Sequence, residues 1–475
     1  MRPLVAALLA PLPFAAAGCS STPSLPSAKT CSIAAPSATD WRLRTEGTRF
    51  RDALGRIVVL RGVNAGGRSK FAPFVGFDYA PGGFDAALAS YMDHAASWGI
   101  DAMRVPFTWA AVEPTQGMDD EDFLTRYGKI LDAAWARGIW TVLDFHQDVY
   151  AEVFCGDGFP AWTVPDPKPA PHHDCATWGA EYLNDKEVQA AFDRFWADGS
   201  PIMTAYLAMW DRIVLRFKDK PGVVGFEPIN EPGWGSGVID TFEATTLSKF
   251  YAMVVPRMRA AAPSSLVFVD PTGFAGAVMK TTLMRPPGDG VVFAPHFYPL
   301  GAPSAEIDVM TAKLQPWADI GAKWNTPVFV GEFAAAQIGD TSAPHISAQF
   351  GALDALGMSG TEWEYSIATE AWNAEYFGLV APDGTEYPAA AGILRPFARA
   401  VAGDGTAAWD TDKRVFTLAY APIPGTTEVS LPTRAVPNGY DVTLTGACVD
   451  TSHPGRLLVQ PDPGATHVEL RVSAR

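Results

Sequence analysis

The sequence has little positive charge, little histidine and few cysteines. Its 475 residues include 36 lysines and arginines against 52 aspartates and glutamates, which gives a formal net charge of −16. We do not expect so acidic a chain to bind nucleic acid or an anionic membrane as its main partner. The 8 histidines and 5 cysteines form no cluster with zinc-ligand spacing, so the sequence predicts neither a metal nor a cofactor.

Beyond the N-terminus, the sequence also lacks an apolar run long enough to span a bilayer. Residues 1–19 combine Arg2, a short apolar stretch and an Ala-Ala-Gly-Cys ending, which together predict a signal peptide. The ending resembles a bacterial lipobox, in which Cys19 would be lipidated. We therefore expect an exported protein, either a lipoprotein of the bacterial cell envelope or a secreted protein. Residues 20–44, mostly Ser, Thr, Pro and Ala, predict a flexible tether.

Four further cysteines remain, and an exported chain favours disulfide bonds between them. Cys155 and Cys175 bracket a loop rich in Pro, Asp and His, and we predict that they pair. The second predicted pair is Cys31 with Cys448, which would join the tether to the C-terminal region.

The middle of the sequence alternates strand and helix patterns, which is typical of parallel βα units. The predicted strands cover residues 56–64, 102–107, 139–145, 223–229, 266–269, 291–294, 328–331 and 360–364. Eight such strands with helices between them predict a (β/α)8 TIM barrel over residues 45–399. After residue 400 short alternating segments are separated by Pro and Gly, which predicts a small C-terminal antiparallel β-sandwich over residues 400–475.

Two of the predicted barrel strands end in a glutamate. Glu231 lies in Asn-Glu-Pro after the fourth strand, and Glu332 lies in Gly-Glu-Phe after the seventh. The carboxyl ends of barrel strands face the active site, and hydrolysis of a glycosidic bond takes two carboxyl groups. The pair therefore predicts a glycoside hydrolase, in which the charge of Glu332 raises the pKa of Glu231.

Other strand ends carry polar or aromatic residues at the same level. Arg104 lies inside an apolar strand, where it needs a buried partner and could hold a carboxylate ionised. Strand alternation places Asp144 and His146 on one side of the third strand. Further candidates are His296, Tyr298 and Trp363, the last as a floor beneath a sugar ring.

These motifs resemble glycoside hydrolase family five, a family of retaining enzymes. Residues 144–162, which begin Asp-Phe-His-Gln-Asp, resemble more narrowly the endoglycoceramidases, and the likeness covers residues 45–475. The resemblance implies that Glu231 is the general acid/base and Glu332 the nucleophile. It implies as substrate a glycosphingolipid at a membrane or micelle surface, cut between glycan and ceramide. The residues implied to line the sugar subsite are Lys70, Arg104, His146, Asp148, Asn230, His296, Tyr298 and Trp363.

A long insertion follows the third strand and carries many apolar side chains. We hypothesise that some of them line a trough for the ceramide chains; the alternative is a small satellite core beneath a long loop. The side chains concerned are those of Val149, Tyr150, Phe154, Phe159, Trp162 and Trp178.

Other functions share the two glutamates. A β-1,4-glucanase or mannanase would have an open aromatic groove, and an enzyme of the same family could instead cleave glucosylceramide or a steryl glucoside. A non-catalytic sugar-binding lipoprotein is a more distant alternative. The sequence leaves open whether glucose or galactose is linked to the lipid, and we expect a monomer.

Overall fold

The computed structural model describes residues 28–36, 41–165, 178–369 and 375–475. Its strands are β1 (Arg44–Glu46), β2 (Arg49–Arg51), β3 (Ile57–Val58), β4 (Arg61–Asn64), β5 (Ala102–Phe107), β6 (Trp140–Phe145), β7 (Val223–Glu227), β8 (Leu266–Val269), β9 (Val291–Phe293), β10 (Phe329–Val330), β11 (Ser359–Glu362), β12 (Phe397–Val401), β13 (Gly403–Asp410), β14 (Val415–Pro422), β15 (Thr427–Ser430), β16 (Tyr440–Thr445), β17 (Ala447–Asp450), β18 (Arg456–Pro461) and β19 (Val468–Ala474).

The helices lie mainly between the strands of the first two thirds of the chain. They are α1 (Phe84–Ser97), α2 (Trp109–Val112), α3 (Glu121–Trp135), α4 (Glu181–Asn184), α5 (Lys186–Trp196), α6 (Pro201–Phe217), α7 (Ile239–Phe242), α8 (Ser248–Ala261), α9 (Gly273–Val278), α10 (Ile307–Trp324) and α11 (Ser342–Leu356). Among the described residues, no helix combines the length and the apolar character that crossing a bilayer requires.

The predicted barrel is confirmed. Eight parallel strands form one sheet in the order β10-β11-β4-β5-β6-β7-β8-β9, and a parallel bridge between Phe293 and Val328 joins its two edges. The carboxyl ends of the strands therefore share one rim, at which a (β/α)8 barrel carries its active site.

Local sequence explains where the barrel helices begin. The side chain of Asp120 accepts a hydrogen bond from the backbone of Phe123 at the start of α3, and Ser200 does the same for Met203 at the start of α6, which has a proline at its first position. The insertion after β6 contains α5, where the sequence pattern predicts only a long loop. Asp185 caps this helix, and one of its faces is buried.

The C-terminal part is a two-sheet sandwich, as predicted, but the N-terminal segment also contributes to it. The first sheet has the order β1-β2-β3-β12-β15-β18-β17 and the second β13-β14-β19-β16. The predicted first barrel strand, residues 56–64, is thus two strands: β3 pairs with β12 in the sandwich and only β4 enters the barrel. The predicted domain boundary at residue 400 falls within β12.

The strands before β4 also fill one end of the barrel. Leu43, Phe50 and Leu60 pack in one buried cluster with Phe268 and Phe329 of the barrel strands. Hydrophobic burial of this kind is the main stabilising contribution to folding, so the N-terminal segment and the barrel are packed as one unit.

The predicted disulfide between Cys31 and Cys448 is present, with Cα atoms 5.7 Å apart. Thr30 forms a parallel bridge with Val449 beside it, so residues 28–36 lie along the edge of the sandwich. Cys175 lies outside the described residues, as does Cys19, and the pairing of Cys155 with Cys175 stays a prediction.

Candidate active site

The two predicted catalytic glutamates meet at the carboxyl rim of the barrel. Glu231 follows β7 and Glu332 follows β10. A carboxylate oxygen of each, together with a ring nitrogen of His296, lies within 4.8 Å of the others. Carboxyl groups about 5–5.5 Å apart characterise retaining glycosidases, whereas inverting pairs stand about 6.5–9.5 Å apart. The separation therefore suits attack by one carboxylate on the sugar.

The surroundings of Glu332 favour its ionised form. It accepts hydrogen bonds from Arg104 at 2.7 Å and from the Tyr298 hydroxyl at 2.9 Å. Burial by itself would raise the pKa of Glu332, but the positive charges of His296 and Arg104 outweigh burial and lower that pKa. An ionised carboxylate held by two donors is the form that a nucleophile needs.

Glu231 has the opposite electrostatic character. Burial raises the pKa of its carboxyl, and the charge of Glu332 adds to the rise, while the hydrogen bond from His296 opposes it. The predicted direction is confirmed, although burial rather than Glu332 is the larger cause. The backbone at Glu231 has φ of 36°, which is strained for a residue other than glycine, and its N–H donates to Asp270 at 2.9 Å. The surrounding structure therefore fixes the direction of the Glu231 side chain.

His296 links the two glutamates. Its Nδ1 lies 2.7 Å from Oε1 of Glu231 and 3.5 Å from Oε2 of Glu332. Burial alone would lower the pKa of His296, but the surrounding carboxylates, Asp270 first, raise it to about 10. The imidazole therefore carries a proton that it can share with Glu231.

Arg104 lies beneath the site and does not line the sugar cavity, which corrects the role implied by the resemblance. Its side chain is fully buried and makes two bonds of 2.9 Å to Glu227 besides the one to Glu332. It also donates to Asn64 and Asn230. Its planar guanidinium thus fixes the nucleophile to two other strands.

A second polar cluster, around Lys70 and His146, also belongs to the site. The Lys70 ammonium donates to Asp148 at 2.6 Å and stands 4.7 Å from the centre of the Trp363 ring. The His146 ring stacks on Trp363 at 5.1 Å, and its Nδ1 lies 2.8 Å from Asp144, as strand alternation predicted. Burial, then the charge of Lys70, lowers the pKa of His146 well below its usual value, so this histidine is neutral.

These groups enclose a cavity of about 230 Å³. The predicted residues Lys70, His146, Asp148, Trp178, Asn230, Glu231, Tyr298, Glu332 and Trp363 line it, with Gly273, Glu375 and Phe377 in addition. His296, which the resemblance also implied for the subsite, is almost fully buried and contacts Glu231 without lining the cavity. An apolar ring among convergent hydrogen-bonding groups is the arrangement that binds a sugar.

Sequence reasoning missed three of the supporting acids. Glu227 and Asp270 stand at or just after the ends of β7 and β8, so the strand-end rule applied to every strand would have found both. Glu375 accepts the Trp363 indole hydrogen at 2.9 Å, and burial raises its pKa to about 7. It lies in a loop beyond β11, where no periodic pattern marks it.

Most of the apolar side chains hypothesised to line a ceramide trough belong to the core, which agrees with the alternative of a satellite core beneath a long loop. Val149, Tyr150, Phe154 and Phe159 are almost fully buried; Tyr150 stacks on Phe159 at 4.1 Å. Trp162 packs edge-on against Trp109. Of the six hypothesised trough residues, Trp178 is the one that lines the active-site cavity.

Among the described residues, carboxylates and histidines gather within 4.8 Å at three places, one of which is His146 with Asp148 and Asp157. Cationic side chains of the protein bind several of these carboxylates: Lys70 donates a hydrogen bond to Asp148, and Arg104 donates to Glu227 and Glu332. These hydrogen bonds hold Asp148, Glu227 and Glu332 in place within the gatherings.

Comparison with known proteins agrees with this geometry. The chain is 28% identical to endoglycoceramidase I of Rhodococcus hoagii over 458 residues, which cover 91% of this chain and 88% of the relative. Two solved structures of endo-glycoceramidase II from Rhodococcus sp. are each 25% identical and cover 90% of this chain and 99% of their own. The five-membered iminocyclitol complex has a TM-score of 0.75, and the lactosyl-enzyme intermediate has one of 0.74.

Two family matches divide the chain at the same place as the fold does. Residues 64–369 match Cellulase (glycosyl hydrolase family 5), and residues 395–472 match the glycoside hydrolase family 5 C-terminal domain. The first match spans the barrel with both glutamates. The chain therefore belongs to glycoside hydrolase family 5 and is a glycoside hydrolase.

Proposed function

We propose that this enzyme is an endoglycoceramidase, which hydrolyses the bond between the glycan and the ceramide of a glycosphingolipid with retention of configuration. The observation that carries the retaining mechanism is the close glutamate pair, in which opposite pKa shifts favour the ionised form of Glu332 and the protonated form of Glu231. The ceramide-linked substrate is supported by the likeness to endoglycoceramidase I along 91% of the chain.

In the first step, an oxygen of Glu332 attacks the anomeric carbon of the sugar that is linked to ceramide. Glu231 gives its proton to the glycosidic oxygen as the bond to ceramide breaks, so ceramide leaves as a neutral alcohol. His296, which is bonded to Glu231, stabilises the carboxylate that this transfer leaves behind.

In the second step, Glu231 takes a proton from water, and the hydroxide attacks the glycosyl-enzyme from the side that ceramide left. The bond to Glu332 breaks, and the glycan is released in its original configuration. Arg104 and Tyr298 stabilise the departing Glu332 carboxylate, because both already donate to it in the resting enzyme.

The cluster around Lys70 and His146 recognises the sugar. Lys70, Asp148 and His146 offer donors and acceptors to hydroxyl groups, and Trp363 offers an apolar surface to the ring. Asn230, fixed by a bond from Arg104 at 2.8 Å, can bond the 2-hydroxyl, a contact that strengthens in the transition state. Glucose and galactose differ in the configuration of one hydroxyl group, and either could be the sugar that is linked to ceramide.

The test is incubation of the purified enzyme with lactosyl-, glucosyl- and galactosylceramide, with the products identified by mass spectrometry. We expect intact glycan and ceramide, both absent with Glu332→Gln. Cleavage of soluble β-glucans without action on any ceramide glycolipid would overturn the proposal in favour of a glucanase or mannanase. Release from steryl glucoside would favour the other alternative.

We also propose that the chain is exported as a monomer and anchored through Cys19. The N-terminal pattern of residues 1–19 and the lipobox-like Ala-Ala-Gly-Cys support this. In a bacterial host fed labelled palmitate, we expect label in the full chain and none in Cys19→Ala. Label in neither, with the protein in the medium, would favour simple secretion.

A further inference from the structure

Exposed apolar side chains lie directly beside the acid/base. Helix α9 begins at Gly273, where an added Cβ would stand 2.5 Å from Oε2 of Glu231. The next residue, Phe274, is 48% exposed, and Val278 is 41% exposed. Residues four apart share one face of a helix, so both side chains project from the same side of α9.

The loop after β9 extends this face. Leu300 is 75% exposed, and its backbone nitrogen donates to the carbonyl of Ala277 at 3.4 Å. The Tyr298 nitrogen likewise donates to Gly276 at 3.1 Å, which holds the loop against α9. We name Phe274, Val278 and Leu300 together the apolar shelf.

The chemistry of the site gives the shelf a position relative to the substrate. Glu231 must reach the oxygen that leaves with the lipid, so the lipid portion lies on the Glu231 side of the cavity. The sugar-binding residues Lys70, His146 and Trp363 line this cavity, whereas the three shelf residues are not among its lining residues. The shelf therefore borders the leaving group and not the glycan.

Within the described residues, the insertion after β6 contributes Trp178 to the cavity and exposes one large apolar side chain, Leu183. Four of its apolar side chains are almost fully buried and a fifth packs on Trp109. Contiguous exposed apolar groups at the mouth of a site mark a surface that binds a lipid or a protein. Beside a site whose proposed leaving group is ceramide, a lipid fits without a further assumption.

Charge decides which kind of lipid surface fits. Lys280 stands 3.4 Å from Asp240 near the shelf, and both are exposed, so their charges offset one another. The whole chain carries a net charge of −16, which opposes an anionic membrane. The shelf is thus suited to a zwitterionic or neutral surface.

We infer that the apolar shelf docks on the zwitterionic lipid surface that presents the glycolipid, contacting acyl chains next to Glu231. This inference rests on the proposed ceramide-linked substrate. It makes the shelf a determinant of action on membrane substrate, while the chemistry of bond cleavage stays with the glutamates.

The test compares F274S/V278S/L300S with L54S/L215S/I423S, which removes apolar side chains that are 59%, 60% and 40% exposed away from the active-site rim. Substrates are lactosylceramide in phosphatidylcholine vesicles and a soluble aryl lactoside. We expect the shelf variant to lose at least about tenfold in rate on vesicles, because less apolar surface is buried in lipid. Its rate on the aryl lactoside stays within about twofold of the parent. Equal losses on both substrates, or an unchanged rate on vesicles, would overturn the inference.

A binding measurement separates this inference from the proposed function. With Glu332→Gln as parent, the fraction that sediments with phosphatidylcholine vesicles lacking glycolipid should fall in the shelf variant and persist in the control variant. Addition of phosphatidylserine should not increase it. Shelf-dependent sedimentation without glycan release by the active enzyme would refute the proposed function alone. Sedimentation that is the same for all three proteins would refute the shelf.

Discussion

At the scale of single residues, opposite ionisation of two similar side chains carries the account. Glu332 accepts hydrogen bonds from Arg104 and Tyr298, whereas Glu231 is largely buried between His296 and Gly273. The same residue type thus serves as nucleophile in one setting and as acid in the other, because the environment decides which form is stable.

The pH dependence of kcat/KM should be bell-shaped. Activity rises with pH as Glu332, whose pKa is lowered, loses its proton, and falls as Glu231, whose pKa is raised, loses its own. Tyr298→Phe removes a hydrogen bond to the ionised form of Glu332, so the acidic limb should move to higher pH. The exposed Tyr376→Phe is the control. A shift of the alkaline limb alone in Tyr298→Phe would contradict these assignments.

Leaving groups distinguish the two glutamates. Glu231→Gln should lose about 10²–10⁴-fold with ceramide glycolipids, which need protonation of the leaving oxygen. With 2,4-dinitrophenyl lactoside, whose leaving group needs no acid, formation of the glycosyl-enzyme should persist in a stopped-flow burst. Glu332→Gln should show no burst with either substrate, and the sandwich-surface change Glu469→Gln should behave as the parent. A lost burst in Glu231→Gln would reverse the roles.

The sequence revealed those residues that stand at strand ends. Glu231, Glu332, His146 and Tyr298 follow apolar strands, so the fold places them at the rim. The sequence could not show that Arg104 lies beneath the site, because that depends on which side of β5 faces the cavity.

At the scale of the elements, close contact between neighbouring barrel strands limits which residues fit. A Cβ at Gly62 in β4 would stand 1.7 Å from the carbonyl oxygen of Ala102 in β5. Backbone atoms at that distance cannot yield without separating the strands.

Gly62→Ala should therefore lower the free energy of unfolding by at least about 3 kcal/mol, since overpacking here displaces backbone. Gly237→Ala, whose Cβ would have its nearest neighbour at 3.7 Å, is the matched control and should cost less than about 1 kcal/mol. Urea denaturation followed by tryptophan fluorescence measures both. Equal stability of the two variants would show that β4 and β5 lie farther apart than described.

Elements with a bounded apolar run were predictable. The limits of β5 and β8 match the sequence prediction residue for residue, since polar residues border both runs. Helix α5 was missed because it lies within an insertion dominated by turn residues, and its amphipathic pattern extends over only 11 residues.

At the scale of the whole molecule, the segment that leads into the barrel completes the sandwich through strand pairing and an ion pair. β3 pairs with β12, and β12 with β15. Arg56 donates to Glu428 at 2.7 Å. The pairing of β3 joins residues far apart in the chain, which is why a reading of local patterns assigned this segment to the barrel.

A variant that ends at residue 402 should not yield a soluble barrel. It keeps β3 and β12 but loses β15, which leaves an open sheet edge and removes Glu428 from the buried Arg56. Soluble expression, circular dichroism and activity measure the outcome. A soluble, folded and active truncated protein would show that the barrel is independent of the sandwich.

The most direct test of the central claim is proton NMR during the first minutes of lactosylceramide hydrolysis. We predict that intact lactose appears first as the β-anomer, together with ceramide, because Glu332 and Glu231 act in two displacements on the bond to the lipid. First appearance of the α-anomer would contradict the retaining pair. Release of galactose with glucosylceramide left behind would contradict cleavage at the lipid.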